Sequence, residues 1–239
     1  MHRHLRLLDN KPASLQAWQD RLTDWSLTTL LILQIFLLFV ALPLAATGVP
    51  IAQPVAWALL LVAVTLVVVL SRRVGASVFI VLGLAAAAAS FAFGREWSPI
   101  TASVLDHGGF MLAFSALVWV LAHALYAPGR ITFHRLQGAI VIYLSLATIF
   151  ANAFGFVWQL VPGAFANLAP AAPGASEFAT MLYFSLATLT TTGYGDIVPL
   201  NPFARSLASL ESVIGPFYLA ITVARLVTME LDDRRRSRQ

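Results

Sequence analysis

Residues 177–196 read EFATMLYFSLATLTTTGYGD. The stretch from Glu177 to Thr190 is apolar but too short to cross a bilayer, which takes about 20 residues of helix. The next segment, Thr190-Thr191-Thr192-Gly193-Tyr194-Gly195-Asp196, has glycine at alternate positions and ends on an acid. A short apolar helix that stops part way and hands over to such a segment reads as re-entrant. Irregular backbone at that depth is tolerated only where protein or a water-filled path surrounds it. The rest of the chain must therefore build that surround.

Composition agrees that lipid is the main solvent. Of 239 residues, 59% are apolar and 11% charged, against about 25% charged in soluble domains. Mean hydropathy is +0.80. A soluble domain could not cover so much apolar surface, and disorder is excluded for the same reason. There is no cysteine, hence no disulfide, thiol nucleophile or thiolate metal site. The net charge of +4 comes from basic residues at the edges of apolar runs. It forms no nucleic-acid surface, and nucleic acid is not an expected partner.

Charge-free runs predict six spans, at about 26–47, 54–71, 74–94, 108–129, 136–160 and 203–228. Gly48, Pro50 and Pro54 separate the first two. Loop arginines set the orientation. With the amino terminus inside, Arg3, Arg6, Lys11, Arg21, Arg72, Arg73, Arg130, Arg135, Arg225 and the tail arginines lie inside, and only Arg95 and Arg205 outside. Both termini are expected in the cytoplasm, with no cleavable signal peptide. The bias to Arg points to a bacterial inner membrane. Leu15, Trp18, Leu22 and Trp25 form one face of a helix that lies in the interface or packs on a neighbouring subunit. The predicted organisation is an amphipathic amino-terminal segment (1–25), a four-helix membrane domain (26–126), a cytoplasmic linker (127–137), a pore domain (138–229) and a basic tail (230–239).

With its apolar helix before, acid after and a span on each side, TTTGYGD resembles the selectivity filter of tetrameric potassium channels, usually TVGYG at its centre. The resemblance covers residues 136–229; the first four spans match in number only. It implies an all-α membrane protein of the six-transmembrane prokaryotic type, a homotetramer with a re-entrant pore helix, and passive conduction of K+ with no other cofactor. Rings of backbone carbonyls replace the ion's water, and glycine permits the dihedrals that aim them inward. By resemblance the ion-binding stretch is Thr191, Thr192, Gly193, Tyr194 and Gly195, with the Thr191 hydroxyl adding to it. Thr190, Asp196, Tyr183, Phe184 and Glu211 support it. Tyr194 packs against the pore helix, Asp196 reaches toward Tyr183, and Tyr183 and Phe184 form an aromatic cuff. Ser176 is the expected N-cap of that helix, with Glu177 in its first turn. Two positions depart from the family. Thr192 stands where Val is usual and puts a hydroxyl behind the filter. Ala187 stands where several prokaryotic channels carry an acid tied to the outer aspartate.

In the sixth span, Gly215-Pro216 predicts a bend, either a static kink or a gating hinge. Below it Leu219 and Val223 are candidate cavity-lining residues. Glu211, an acid within a span, is a functional candidate by default; a protonated, hydrogen-bonded place behind the pore helix is the favoured reading. Gly108 to Gly129 carries no Arg, Lys, Asp or Glu and one histidine, His123. Gating charges are therefore missing, and voltage dependence is expected to be weak or absent. About ten residues come after the last span, so no ligand-binding domain is expected. Arg72, Arg73, Arg130, Arg135 and Arg225 form a basic inner rim that satisfies topology and offers contacts to anionic lipid. The alternatives are a poorly selective cation channel and, remotely, a G-x-G-D intramembrane aspartyl protease. The protease needs a second membrane aspartate, which the predicted spans lack.

Overall fold

The structure, a computed structural model, describes residues 27–46, 58, 64–65, 74–93, 96–127, 132–168 and 177–236. The amino-terminal stripe, most of the span at 54–71, Arg72, Arg73, Arg130, the Ser176 cap and the end of the tail lie outside the described residues.

Helix α1 covers residues 27–46. Its stretch Leu37–Ala41 opens into a π-turn, where the amide of Leu42 bonds the Leu37 carbonyl. Pro43 comes immediately after; it lacks an N–H and crowds the turn before it, and the wider turn gives it room. Helix α2 is Val74–Phe93. Helix α3, Pro99–Tyr126, begins well before the predicted 108. A charge-free run stops at Asp106, but the helix does not. The true start is chemical: Ser98 accepts from the amide of Thr101 at 3.2 Å, and Pro99 occupies the first turn. Asp106 and His107 therefore lie inside α3. The helix stops at Tyr126 because Ala127, which precedes Pro128, is forced extended.

Helix α4, Phe133–Leu160, starts inside the predicted linker, which shortens accordingly. Strand β1 (Phe165–Ala166), helix α5 (Glu177–Leu189), strand β2 (Val198–Pro199) and helix α6 (Pro202–Arg236) complete the described chain. The β1–β2 pair is antiparallel, with Phe165 opposite Pro199, so the fold is not purely helical. Helix α6 continues unbroken past 229, through what was expected to be tail. Four stretches among the described residues are long and apolar enough to span a membrane: Leu27–Leu44, Ile100–Tyr126, Phe133–Leu160 and Pro202–Leu231.

Helix α3 packs on α2 and on α4, and α4 carries α5 and α6. Lipid tails are as apolar as leucine, so close fit and polar ties, rather than escape from water, hold such helices together. Gly155 on α4 admits the His107 ring; a Cβ there would stand 2.8 Å from it. His107 Nδ1 is 3.2 Å from Asn152 Oδ1, and Asn152 Nδ2 donates to the Thr148 carbonyl at 2.8 Å. Gln34 on α1 donates to Ser145 at 3.2 Å, and the Thr28 hydroxyl to Gln137 at 3.1 Å. Each such tie contributes about 0.6 kcal/mol in a bilayer, less than a steric misfit would cost. Gly155→Val therefore should destabilise the detergent-solubilised protein by about 1–3 kcal/mol, the usual cost of overpacking. Gly138→Ala, with nothing within 4 Å of the new Cβ, should leave the thermal midpoint unchanged or raised.

Candidate functional site

Helix α5 ends on Leu189, and its last carbonyls organise the segment beyond it. The amide of Thr191 donates to the Thr188 carbonyl at 3.0 Å. The amides of Thr192 and Gly193 both donate to the Ala187 carbonyl, at 2.8 and 3.1 Å. No peptide in the described chain is cis. In a planar trans peptide each carbonyl opposes the next residue's N–H. The carbonyls of Thr190, Thr191 and Thr192 therefore all face away from the end of α5.

The backbone accepts strain to do this. Thr191, Gly193 and Gly195 have φ of +59, +54 and +77°. Glycine takes such angles freely, whereas a β-branched residue there is an outlier costing on the order of 1–3 kcal/mol. The glycine pattern flagged two of the three positions; nothing in the sequence marks Thr191 as left-handed. Residues 190–196 are all exposed in a single chain.

The outer end is clasped. The Tyr183 hydroxyl donates to Asp196 Oδ2 at 2.7 Å. The Tyr183 and Tyr194 rings stack at 6.0 Å, 5° from parallel. Arg205 Nε donates to the Pro199 carbonyl at 3.0 Å, and the Leu200 amide to Ala164 at 2.8 Å, which fixes the segment leaving the site. Arg205 is thus more than an outside charge: it anchors the chain after the site. Phe184 is not part of a cuff with Tyr183. It is buried and packs edge-on against Phe154 and Phe165, at 4.9 and 5.6 Å, seating α5 on α4. On a helix, adjacent positions cannot face the same way.

Glu211 of α6 is fully buried behind α5. Its Oε1 is 2.5 Å from Ser185 Oγ, which is also 2.9 Å from the Ala147 carbonyl of α4. Ser185 has one hydrogen, and a carbonyl only accepts. That hydrogen can serve only one of the two acceptors at a time, unless Glu211 carries a proton and donates to Ser185 in turn; Glu211 Oε2 is buried with no hydrogen-bond partner among the described residues. The trio joins α4, α5 and α6 at one point. Gly215, one turn on, is buried under α5, where a Cβ would overlap the Leu189 carbonyl. Tyr143 of α4 donates to that carbonyl at 3.2 Å. Gly215 is thus a close-approach glycine, a role its reading as a hinge did not include.

Leu219 and Val223 are both exposed on α6. Arg225 donates to the Tyr126 carbonyl at 3.3 Å, and Arg135 to the Ala127 carbonyl at 2.8 Å. The two rim arginines among the described residues therefore engage the carboxyl end of α3, where cations are favoured. Asp106 lies within the apolar stretch of α3, so the argument that no second aspartate enters a span does not hold. Asp196 nevertheless has a phenol for its partner rather than a carboxyl. Among the described residues, no group of three or more His, Asp or Glu could hold a metal ion.

Residues 138–231 match the family model described as "Ion channel". The potassium voltage-gated channel protein shk-1 of Caenorhabditis elegans is 32% identical over 89 residues, 37% of this chain and 15% of the relative. The inward rectifier potassium channel Kirbac3.1 of Paramagnetospirillum magnetotacticum is 30% identical over 83 residues, 35% of this chain and 25% of the relative. The chain thus spans a quarter or less of the length of these curated relatives. No solved structure matches it. The family-model match is to ion channels, over residues 138–231, and both relatives are potassium channels by name.

The buried trio and the outer clasp can each be tested. Glu211→Gln keeps a neutral donor and should retain near-normal thermal stability, whereas Glu211→Ala should lose about 1–3 kcal/mol by leaving buried oxygens unmatched. The Tyr183 hydrogen bond holds the Asp196 carboxyl below the usual aspartate range. Its folded-state value is thus depressed. The clasp is complete above the ordinary aspartate value and is lost as pH falls through the lower, folded one. In a carboxyl NMR titration, Tyr183→Phe should move the Asp196 midpoint upward.

Proposed function

We propose that four copies of this chain form a potassium-selective channel in which residues 191–195 line the conduction path. The observation that carries the reading is the set of carbonyls from Thr190 to Thr192 turned away from α5 by amides bonded to α5 itself. A dehydrated K+ needs several oxygens around it, and one chain offers them from one side only. Fourfold repetition encloses the ion.

The surface of α6 supports the same assembly. Only 17% of its apolar window is buried within the chain, against 67% for α4. Tyr194 is 70% exposed, an unusual state for a large ring beside a membrane pore unless neighbours cover it. The family match at 138–231 and the two potassium channel relatives support the choice of ion.

The mechanism is passive. Ions enter past the mouth held by the Tyr183–Asp196 clasp and pass between carbonyl rings. They then reach a cavity lined by Leu219 and Val223, toward which the negative carboxyl end of the α5 dipole points. A gating bend lies at Pro216 or below, since Gly215 is held against α5. Helix α3 has no Arg or Lys; its acid and histidines are Asp106, His107 and His123, the last hydrogen-bonded to the Trp119 carbonyl at 2.9 Å, and they form no repeating row of gating charge. Voltage therefore has little charge to act on.

Potassium flux from liposomes reconstituted with the full chain tests this. Wild type should carry K+ with a reversal potential near the potassium equilibrium in mixed K+ and Na+, and open probability should change little with voltage. Gly193→Ala or Tyr194→Ala should abolish selective flux. A reversal potential midway between the two ions would favour a poorly selective cation pore; absence of flux would overturn the reading.

A further inference from the structure

We infer that Thr192 is a positioning residue, whose hydroxyl anchors the filter backbone to α5 through Thr190; this rests on the channel reading above and deepens it. Thr190 Oγ1 donates to the Leu186 carbonyl at 2.7 Å. The Thr190 and Thr192 hydroxyl oxygens are 2.8 Å apart. A hydroxyl has one hydrogen, and that of Thr190 is already committed to a group that only accepts. Thr192 is therefore the donor, and the order is Thr192 to Thr190 to Leu186.

The relay sits where it matters mechanically. The amides of Thr192 and Gly193 both bond the Ala187 carbonyl. Those two bonds aim the carbonyls of Thr191 and Thr192. If the backbone at 192 rotates, both are lost and both carbonyls turn. The side-chain bond of Thr192 restrains that rotation from the other side of the same residue. Valine has the same shape and no donor. The side chain of Ala187 is only a methyl group, so no carboxylate supplies the restraint from that position. The relay also helps hold Thr191 at φ +59°, because the residues on both sides of the strained one are tied to each other.

Amide hydrogen exchange read by mass spectrometry tests the relay in the full chain, in detergent with K+. Peptides covering the Thr192 and Gly193 amides should exchange about fivefold faster in Thr192→Val, the factor that loss of one net hydrogen bond of about 1 kcal/mol gives. Thr192→Ser keeps the hydroxyl and should exchange like wild type. Thr190→Val breaks the relay at its other end; it should match Thr192→Val, and serves alone if that variant does not fold. The double variant should be no faster than either single one. The inference is overturned if the valine variants exchange at the wild-type rate, if Thr192→Ser is as fast as Thr192→Val, or if the two effects multiply. A wild type that exchanges slowly here yet carries no K+ would sink the channel reading and leave the relay standing.

Discussion

One carbonyl, that of Ala187, accepts from two consecutive amides beyond the end of α5, and the rest of the site depends on it. A helix ordinarily leaves its last carbonyls without intrahelical partners. Here the chain folds back and supplies them, and the planarity of the peptide does the rest. Three carbonyls, those of Thr190, Thr191 and Thr192, are left facing outward from the helix. Burying such groups without partners would cost several kcal/mol. A cation can take that place.

Everything else holds that turn still. Above it, Tyr183 grips Asp196 and stacks on Tyr194. Behind it, the Ser185–Glu211–Ala147 trio fastens α5 to the helices on both sides. Below it, Gly215 lets α6 approach the Leu189 carbonyl, which Tyr143 also engages. Phe154, Phe165 and Phe184 seat the assembly on α4. In a bilayer, where apolar contact alone gives little preference, such fits and ties determine which arrangement the helices adopt.

Much of this was legible in the residues. The short helix before the filter-like segment, the glycine alternation and the Tyr183–Asp196 pair follow from spacing and from the filter resemblance. The place of Glu211 followed from its depth beside hydroxyl-bearing residues. Other features were not legible, for physical reasons. The start of α3 is set by a cap at Ser98, not by the charge at Asp106. The left-handed Thr191 is imposed by hydrogen bonds that only the folded turn makes. The role of Gly215 depends on a helix distant in sequence. Phe184 looked like a partner of Tyr183 because they are adjacent, yet helix geometry sends adjacent side chains to different neighbours. The bonds of Arg135 and Arg225 were not legible either, because the carbonyls they engage belong to a helix end fixed by distant packing.

The most direct test is an electron cryo-microscopy map of the purified protein in K+. The account expects four copies around one axis, with ion density on that axis flanked by the carbonyls of Thr191, Thr192, Gly193 and Tyr194. A particle in which Tyr194 lies at the lipid-facing periphery, or in which residues 190–196 continue α5 as ordinary helix, would contradict it.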